Sequence, residues 1–473
     1  MDFMFYIKIK NNRNLKKYKY FLLISAIYFL FLSNAFSQDN ASKIDNYLKS
    51  YYDFEPFSGI VLVAKGDTVL LHKAFGLANY ELAVPNTKET VFNIASLTKP
   101  FTALLVMQFV QQGKIKLNAK ITDYLLDYPS KNGGRITIHN LLNHTSGLPH
   151  YEVMPDFFYK QGREKYAPRE FLKLFWNQDL LFQPGTKFKY SSLGYTILGV
   201  ILEKVSGKSY QELIIENICK PAGMKNTQVD DQISLVRNRA NGYEYSFYGL
   251  INSDYRDMTT ALASGDLIST TEDLFLFIKA LDSDKLLNQK FKEIMLKRYP
   301  PGAFYGWFGD DIKSGNTYLR KLYHTGGVNG FRSIISKYNN GLCIVILSNF
   351  GFTQREKIES DIFQIVETGK QIYSKIRKPI KLDPSVFRKY SGKYHKDSVL
   401  SYKISENEEG LSFEWNESSK SRLIPASETK FYFSGSDAEI IFVLDNRKNP
   451  KEFTYYDKDR PIFTAKKVEI NKK

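Results

Sequence analysis

Hydrophobic and polar positions follow three different rhythms along this chain of 473 residues. Near the N-terminus, Ile60-Val-Leu-Val-Ala64 and Thr68-Val-Leu-Leu71 flank Lys65-Gly66-Asp67. Two short apolar runs about a glycine-containing turn predict a hairpin from Gly59 to Leu71. From Ser96 to about Leu296 helix signals dominate, with periodic runs from Tyr195 to Val205, Tyr210 to Ile218 and Thr271 to Leu281. Thr271 followed by Glu272 and Asp273 is a helix start, a hydroxyl with acids in the first turn. Phe101 to Val110 is apolar on nearly every side, the pattern of a helix buried all round. Strand-like runs return from Phe331 to Lys337 and from Leu342 to Asn349, and Ile358 to Ile376 predicts a closing helix. Strands at both ends of a helical middle imply one sheet built from the two termini of a domain.

The third rhythm begins after a charged stretch with two prolines, residues 376–384, which reads as a linker. The runs from Leu400 to Ser405, Gly410 to Trp415, Arg422 to Pro425, Lys430 to Phe433, Glu439 to Leu444, Glu452 to Tyr456 and Ile462 to Lys467 are short, strand-like and separated by turn residues. That spacing predicts an all-β barrel or sandwich. No solenoid repeat is present.

Residues 1–37 obey different rules. Lys8, Lys10, Arg13, Lys16, Lys17 and Lys19 form a basic region, Tyr20 to Leu32 is apolar apart from Ser25, and Ala35 and Ser37 supply small residues. This reads as an export signal cleaved after Ser37. The alternative, an uncleaved membrane anchor, would need a span of about 20 apolar residues. A periplasmic or secreted protein is expected, touching a membrane only if the signal stays attached. No cysteine lies nearby to carry a lipid.

The formal charge of +16 is partly that leader; the remaining lysines are scattered rather than blocked. No nucleic-acid motif accompanies them, so no nucleic-acid partner is expected. Cys219 and Cys343 are the two cysteines; an exported chain could pair them, and sequence does not decide it. There is no His-Glu-x-x-His, no Gly-x-Ser-x-Gly and no P-loop, which argues against a zinc peptidase, an α/β-hydrolase and a nucleotide enzyme. No metal or cofactor is expected.

Candidate chemistry gathers at Ser96-Leu-Thr-Lys99, at the mouth of the apolar helix. Residues three apart share a helix face. Burial disfavours the charged form of Lys99, and a neutral amine beside a serine hydroxyl can take its proton, making Ser96 a nucleophile. Four further motifs follow in order. They are Ile136-Thr-Ile-His-Asn-Leu-Leu-Asn-His-Thr-Ser-Gly-Leu-Pro149, Phe182-Gln-Pro-Gly-Thr-Lys-Phe-Lys-Tyr-Ser-Ser-Leu-Gly-Tyr195, Ala263-Ser-Gly-Asp-Leu-Ile-Ser-Thr-Thr-Glu-Asp-Leu274 and Tyr323-His-Thr-Gly-Gly327.

Taken together, residues 45 to 370 resemble the penicillin-recognising serine hydrolases, the class C β-lactamase-like group with its D-alanyl-D-alanine carboxypeptidases and esterases. The resemblance implies an α/β (α+β) fold: an antiparallel sheet flanked by helices plus an all-helical subdomain, over residues 38–375. It also matches Ser96 and Lys99 to the family's Ser-x-x-Lys, Tyr190-Ser191-Ser192 to Tyr-x-Asn, and His324-Thr325-Gly326 to Lys-Thr-Gly or His-x-Gly. By that match Ser96, Lys99 and Tyr190 are catalytic, with Tyr190 hydrogen-bonded to Ser96, taking its proton and passing it to the leaving group. The N–H groups of Ser96 and Gly327 form an oxyanion hole, and Ser192, His324, Thr325 and Gly326 bind substrate, His324 as a donor. Asn143 to Pro149 shapes a loop. The tail from Tyr390-Ser-Gly-Lys-Tyr394 is similar to a small β-barrel domain fused after such hydrolases, residues 385–473.

Ser192 stands where the family has asparagine, and a hydroxyl makes fewer hydrogen bonds. His324 stands where a lysine is usual and is mostly neutral above about 6.5. Both changes weaken β-lactamase activity and leave acyl transfer intact. The expected function is hydrolysis of an amide or ester through an acyl-serine, on a small molecule or peptide, cell-wall peptides among them. The alternative is a catalytically weak scaffold that only binds. If the charge of His324 holds an anionic substrate, activity on carboxylates falls as pH rises through its titration.

Overall fold

The computed structural model describes residues 39–468 apart from 52–56, 152–153, 155, 247–248, 316, 374–379, 381, 398–399, 408–409, 417–418, 434–437 and 458–459. The expected leader and most of the expected linker lie outside the described residues.

Residues 39–51 form helix α1, and the hairpin follows as β1 (Gly59–Lys65) and β2 (Thr68–Phe75). The chain then leaves the sheet for the helical region. That region contains α2 (Thr98–Gln111), α3 (Ser192–Ser206) and α4 (Thr271–Asp282). It returns through β3 (Phe308–Ser314), β4 (Thr317–Val328), β5 (Phe331–Tyr338) and β6 (Leu342–Ser348), and closes with α5 (Arg355–Thr368). The sheet runs β3-β4-β5-β6-β1-β2, all antiparallel. The two termini of the domain therefore meet where Ile60 faces Leu347 and Val63 faces Ile344.

The unbroken apolar character of β1 and β6 follows from their central position. Ile60, Leu62, Val345 and Leu347 pack with α2 and the helical region, while Val61, Val63, Ile344 and Ile346 pack against Tyr47 of α1 and Ile358 and Ile362 of α5. A strand covered on both faces has no polar positions to alternate. Full burial of each such side chain contributes about 1.5–3 kcal/mol. Cys343 is buried in β6, Cys219 is buried in the helical region, and both are free; the open disulfide question resolves against a bridge.

Eight further strands close a barrel. They are β7 (Gly392–His395), β8 (Ser401–Asn407), β9 (Gly410–Asn416), β10 (Ser419–Pro425), β11 (Lys430–Phe433), β12 (Glu439–Leu444), β13 (Pro450–Asp457) and β14 (Arg460–Lys467). Short β7 pairs with both β8 and β14, removing the free edges. Its interior is filled by aromatic and aliphatic side chains, Tyr390, Tyr394, Phe413, Phe431 and Phe453 among them. An eight-stranded barrel is of a size that side chains can fill.

Candidate active site

Ser96 stands in a 3-10 turn, Ala95–Leu97, that runs directly into α2. Ala95 before it sits at φ +48, a left-handed conformation costing a non-glycine residue roughly 1–2 kcal/mol. Asn93 Oδ1 accepts the Ala95 N–H at 2.9 Å and holds the turn. The Ser96 side chain is half-buried, whereas Lys99, three residues on, is fully buried. Its Nζ lies 3.0 Å from Ser96 Oγ and donates to Ser264 O at 2.6 Å. That carbonyl is held by its own loop. Ala263 N–H donates to Asp266 Oδ1 at 3.0 Å, and Thr102 Oγ1 of α2 donates to Ala263 O at 2.6 Å. No carboxylate pairs with Lys99 among the described residues, and burial, then the charge of Arg256, drives its pKa well below the ordinary lysine value. Neutral amine is therefore within reach.

Tyr190 lies just ahead of α3, with its ring centroid 4.8 Å from Lys99 Nζ. Burial raises its pKa, and a hydrogen bond with Ser96 opposes that rise. The resting phenol keeps its proton. Burial thus favours the neutral amine at Lys99 and the protonated phenol at Tyr190.

The sequence reading placed His144 in a shaping loop and missed how it holds Tyr190. Its ring packs on the Tyr190 ring at 4.5 Å, and its Nδ1 accepts the Ser191 N–H at 3.2 Å. The His-Thr-Ser-Gly motif was the available signal. His150 was also missed; its Nε2 is 3.2 Å from Ser192 Oγ.

Strand β4 forms the opposite wall. Gly326 is opposite Ser333 and Gly327 opposite Arg332. A Cβ on Gly326 would come within 2.3 Å of Ile94 O and 3.2 Å of Ala95 Cβ, so glycine is what lets β4 press on the Ser96 turn. Ser333 Oγ donates to Ile94 O at 2.8 Å and pins the same contact. Asn339 N–H donates to Arg320 O at the far end of the β4–β5 ladder. That fixes the alternation, and it turns the Gly327 N–H away from β5. The partner strand β3 has already begun at Phe308, opposite Tyr323, so the exposed Gly327 and half-buried Thr325 present their outward backbone groups at an open edge.

His324 corrects two expectations. Its Nδ1 donates to Thr325 O at 2.7 Å, which leaves Nε2 an acceptor, not a donor. Burial, then Lys99, holds its pKa down to about 3. The ring is neutral at physiological pH and supplies no charge for an anionic substrate. Its buried Nε2 has no partner among the described residues. Phe308 and Tyr190 stand over it, with centroids 5.2 and 6.2 Å away.

A half-buried serine at a helix tip, a dry lysine in contact with it, a protonated phenol above and an outward N–H across define a serine acyl-transfer site. The β-lactamase family model matches residues 54–365, and the chain belongs to that family. Penicillin-binding protein 4* of Bacillus subtilis (strain 168) is 29% identical over 85% of this chain and 93% of its own. The crystal structure of a penicillin-binding protein from Bacillus halodurans is similar at TM-score 0.60 and 26% identity, covering 67% of this chain and 98% of its own. That of D-amino acid amidase from Ochrobactrum anthropi SV3 with D-phenylalanine has TM-score 0.61 at 23% identity, covering 70% and 100%; that likeness is one of fold.

Proposed function

We propose that the protein is an exported serine hydrolase that cleaves an amide or ester through an acyl-Ser96 intermediate. Neutral Lys99 takes the Ser96 proton as Oγ attacks the substrate carbonyl. The N–H groups of Ser96 and Gly327 hold the oxyanion, helped by the positive N-terminal end of α2. As the bond to the leaving nitrogen or oxygen breaks, Tyr190 donates its proton to it, and the Lys99 ammonium, beside the Tyr190 ring, returns to the phenolate the proton it took from Ser96. Water then hydrolyses the acyl-serine with the same groups run in reverse.

The substrate class is a small ester or a peptide of D-amino acids, cell-wall peptides included; β-lactams would be adventitious acylating agents. Similarity to a penicillin-binding protein and to a D-amino acid amidase supports that range. The observation that carries the reading is the 3.0 Å contact between Ser96 Oγ and a buried lysine with no carboxylate partner among the described residues. A fluorophosphonate or a fluorescent penicillin labels the parent protein and not Ser96→Ala. Equal labelling of both discards the nucleophile.

A further inference from the structure

Strand β4 gives the site a direction. Tyr190, which protonates the leaving group in the reading above, stands at the His324 end. The leaving group departs there, so the acyl group of a bound substrate extends the other way, past Gly327 toward Val328. Four residues of strand separate the two ends, about 13 Å. At the Val328 end lies a cleft of about 310 Å³ with a largely polar lining. Asn93, Val328, Asn329, Phe331 and Arg256 line it.

Arg256 is the distinctive group in that cleft. Its guanidinium lies over the rings of Tyr151 and Phe158, 5.4 Å from each centroid. Its Nε donates to Thr260 Oγ1 at 3.3 Å. It makes no ion pair among the described residues. The other arginine of the cleft, Arg239, is spent: it grips Asp230 in two bonds of 2.9 and 2.6 Å. The remaining acid, Asp254, is exposed at the rim, where water screens it. The backbone under Arg256 is fixed on both sides. Gln232 Nε2 donates to Arg256 O at 3.0 Å, and Met258 N–H donates to Gln232 Oε1 at 2.9 Å. The half-buried guanidinium is thus held in place with its two terminal nitrogens unclaimed among the described residues, the arrangement that binds a carboxylate in a fork.

We propose that this cleft is the acyl-group subsite and that Arg256 makes it select acyl groups carrying a carboxylate. The inference rests on the acyl-Ser96 reading for its direction. It also answers a question left by His324, whose neutral ring cannot hold an anion.

The test compares 4-nitrophenyl hemiglutarate with 4-nitrophenyl butyrate, which lacks the carboxylate. The parent protein prefers the anionic ester. In Arg256→Gln the ratio of kcat/KM for anionic over neutral ester falls at least tenfold, through the KM of the anionic ester, and Arg256→Lys recovers part of it. An unchanged ratio overturns the proposal. A second measurement stands apart from turnover. Monomethyl glutarate binds Ser96→Ala by calorimetry, and adding Arg256→Gln weakens that binding at least tenfold. Equal affinity in both backgrounds overturns the subsite. Activity surviving in Ser96→Ala would instead overturn the nucleophile, while the calorimetric comparison still decides Arg256. Thermal melting of each variant confirms the fold.

Discussion

The two walls of the site are finished to different degrees. On the helix side Lys99 has both partners in place, Ser96 Oγ and Ser264 O, and the loop supplying that carbonyl is tied to α2. On the strand side the polar groups are left open: the outward Gly327 N–H at the sheet edge, and the unpartnered Nε2 of His324. A buried polar atom without a partner costs about 1–3 kcal/mol. The proposed nucleophile is thus pre-assembled by the protein, whereas the strand wall leaves polar groups open for the proposed substrate.

The comparison predicts that losses on the helix side act on chemistry. Lys99→Met keeps the apolar fit and removes the base, and kcat falls at least about 10⁴-fold. The checking measurement is the acylation rate in single turnover; a slowing of less than tenfold would move the base elsewhere. Tyr190→Phe follows at roughly 10²–10³-fold. Its loss should be greatest for poor leaving groups, since a good one departs without the proton. An equal loss for an anilide and a 4-nitrophenyl ester would deny Tyr190 the donor role.

On the strand side the largest effect is steric. Gly326→Ala drives a Cβ to within 2.2 Å of Ser333 Oγ and 2.3 Å of Ile94 O. Either β4 or the Ser96 turn must retreat. The expected cost is about 1–3 kcal/mol in a denaturant melt, and a shift of the hole by about 1 Å is worth on the order of 10²-fold in kcat. Gly327→Ala, whose Cβ would come no nearer than 3.4 Å to the Arg332 guanidinium, is the matched control and should cost less on both scales.

This asymmetry also explains what could be read from sequence. The apolar run after Lys99 announced a dry lysine because a helix without a polar face can only be buried. The strands of β1 and β6 were legible for the same reason. So was most of the barrel: seven of its strands carry their own turn punctuation, and only β7 escaped, four residues whose neighbours lie at opposite ends of the domain. β3 was missed because it sits at the sheet edge with the mixed run Phe308-Gly-Asp-Asp-Ile-Lys-Ser314, which carries no strand period. The contacts that set protonation were illegible throughout. Nothing local says that Ser264 faces Lys99 across 165 positions, that His144 stacks on Tyr190, or that His324 turns its Nδ1 onto the next carbonyl.

His324 supplies the subtlest way to sharpen the comparison. Its folded pKa of about 3 lies below the ordinary 6.5. Between those values the unfolded chain binds a proton that the folded chain refuses. Stability therefore rises with pH across that window. The contribution is fully present above about 6.5 and is lost as pH falls toward 3, at up to about 1.4 kcal/mol per pH unit. His324→Gln keeps a polar side chain and removes the titration. Urea melts at pH 6.5 and pH 4.5 should show the variant losing about 2–3 kcal/mol less than the parent, with the low-pKa His144 contributing equally to both. Across pH 5.5 to 8 the two proteins should share one shape of kcat/KM profile, on carboxylate-bearing and neutral esters alike. A parent-only inflection near 6.5 would mean the imidazole carries its proton in the folded site, and the strand wall would then be charged rather than merely open.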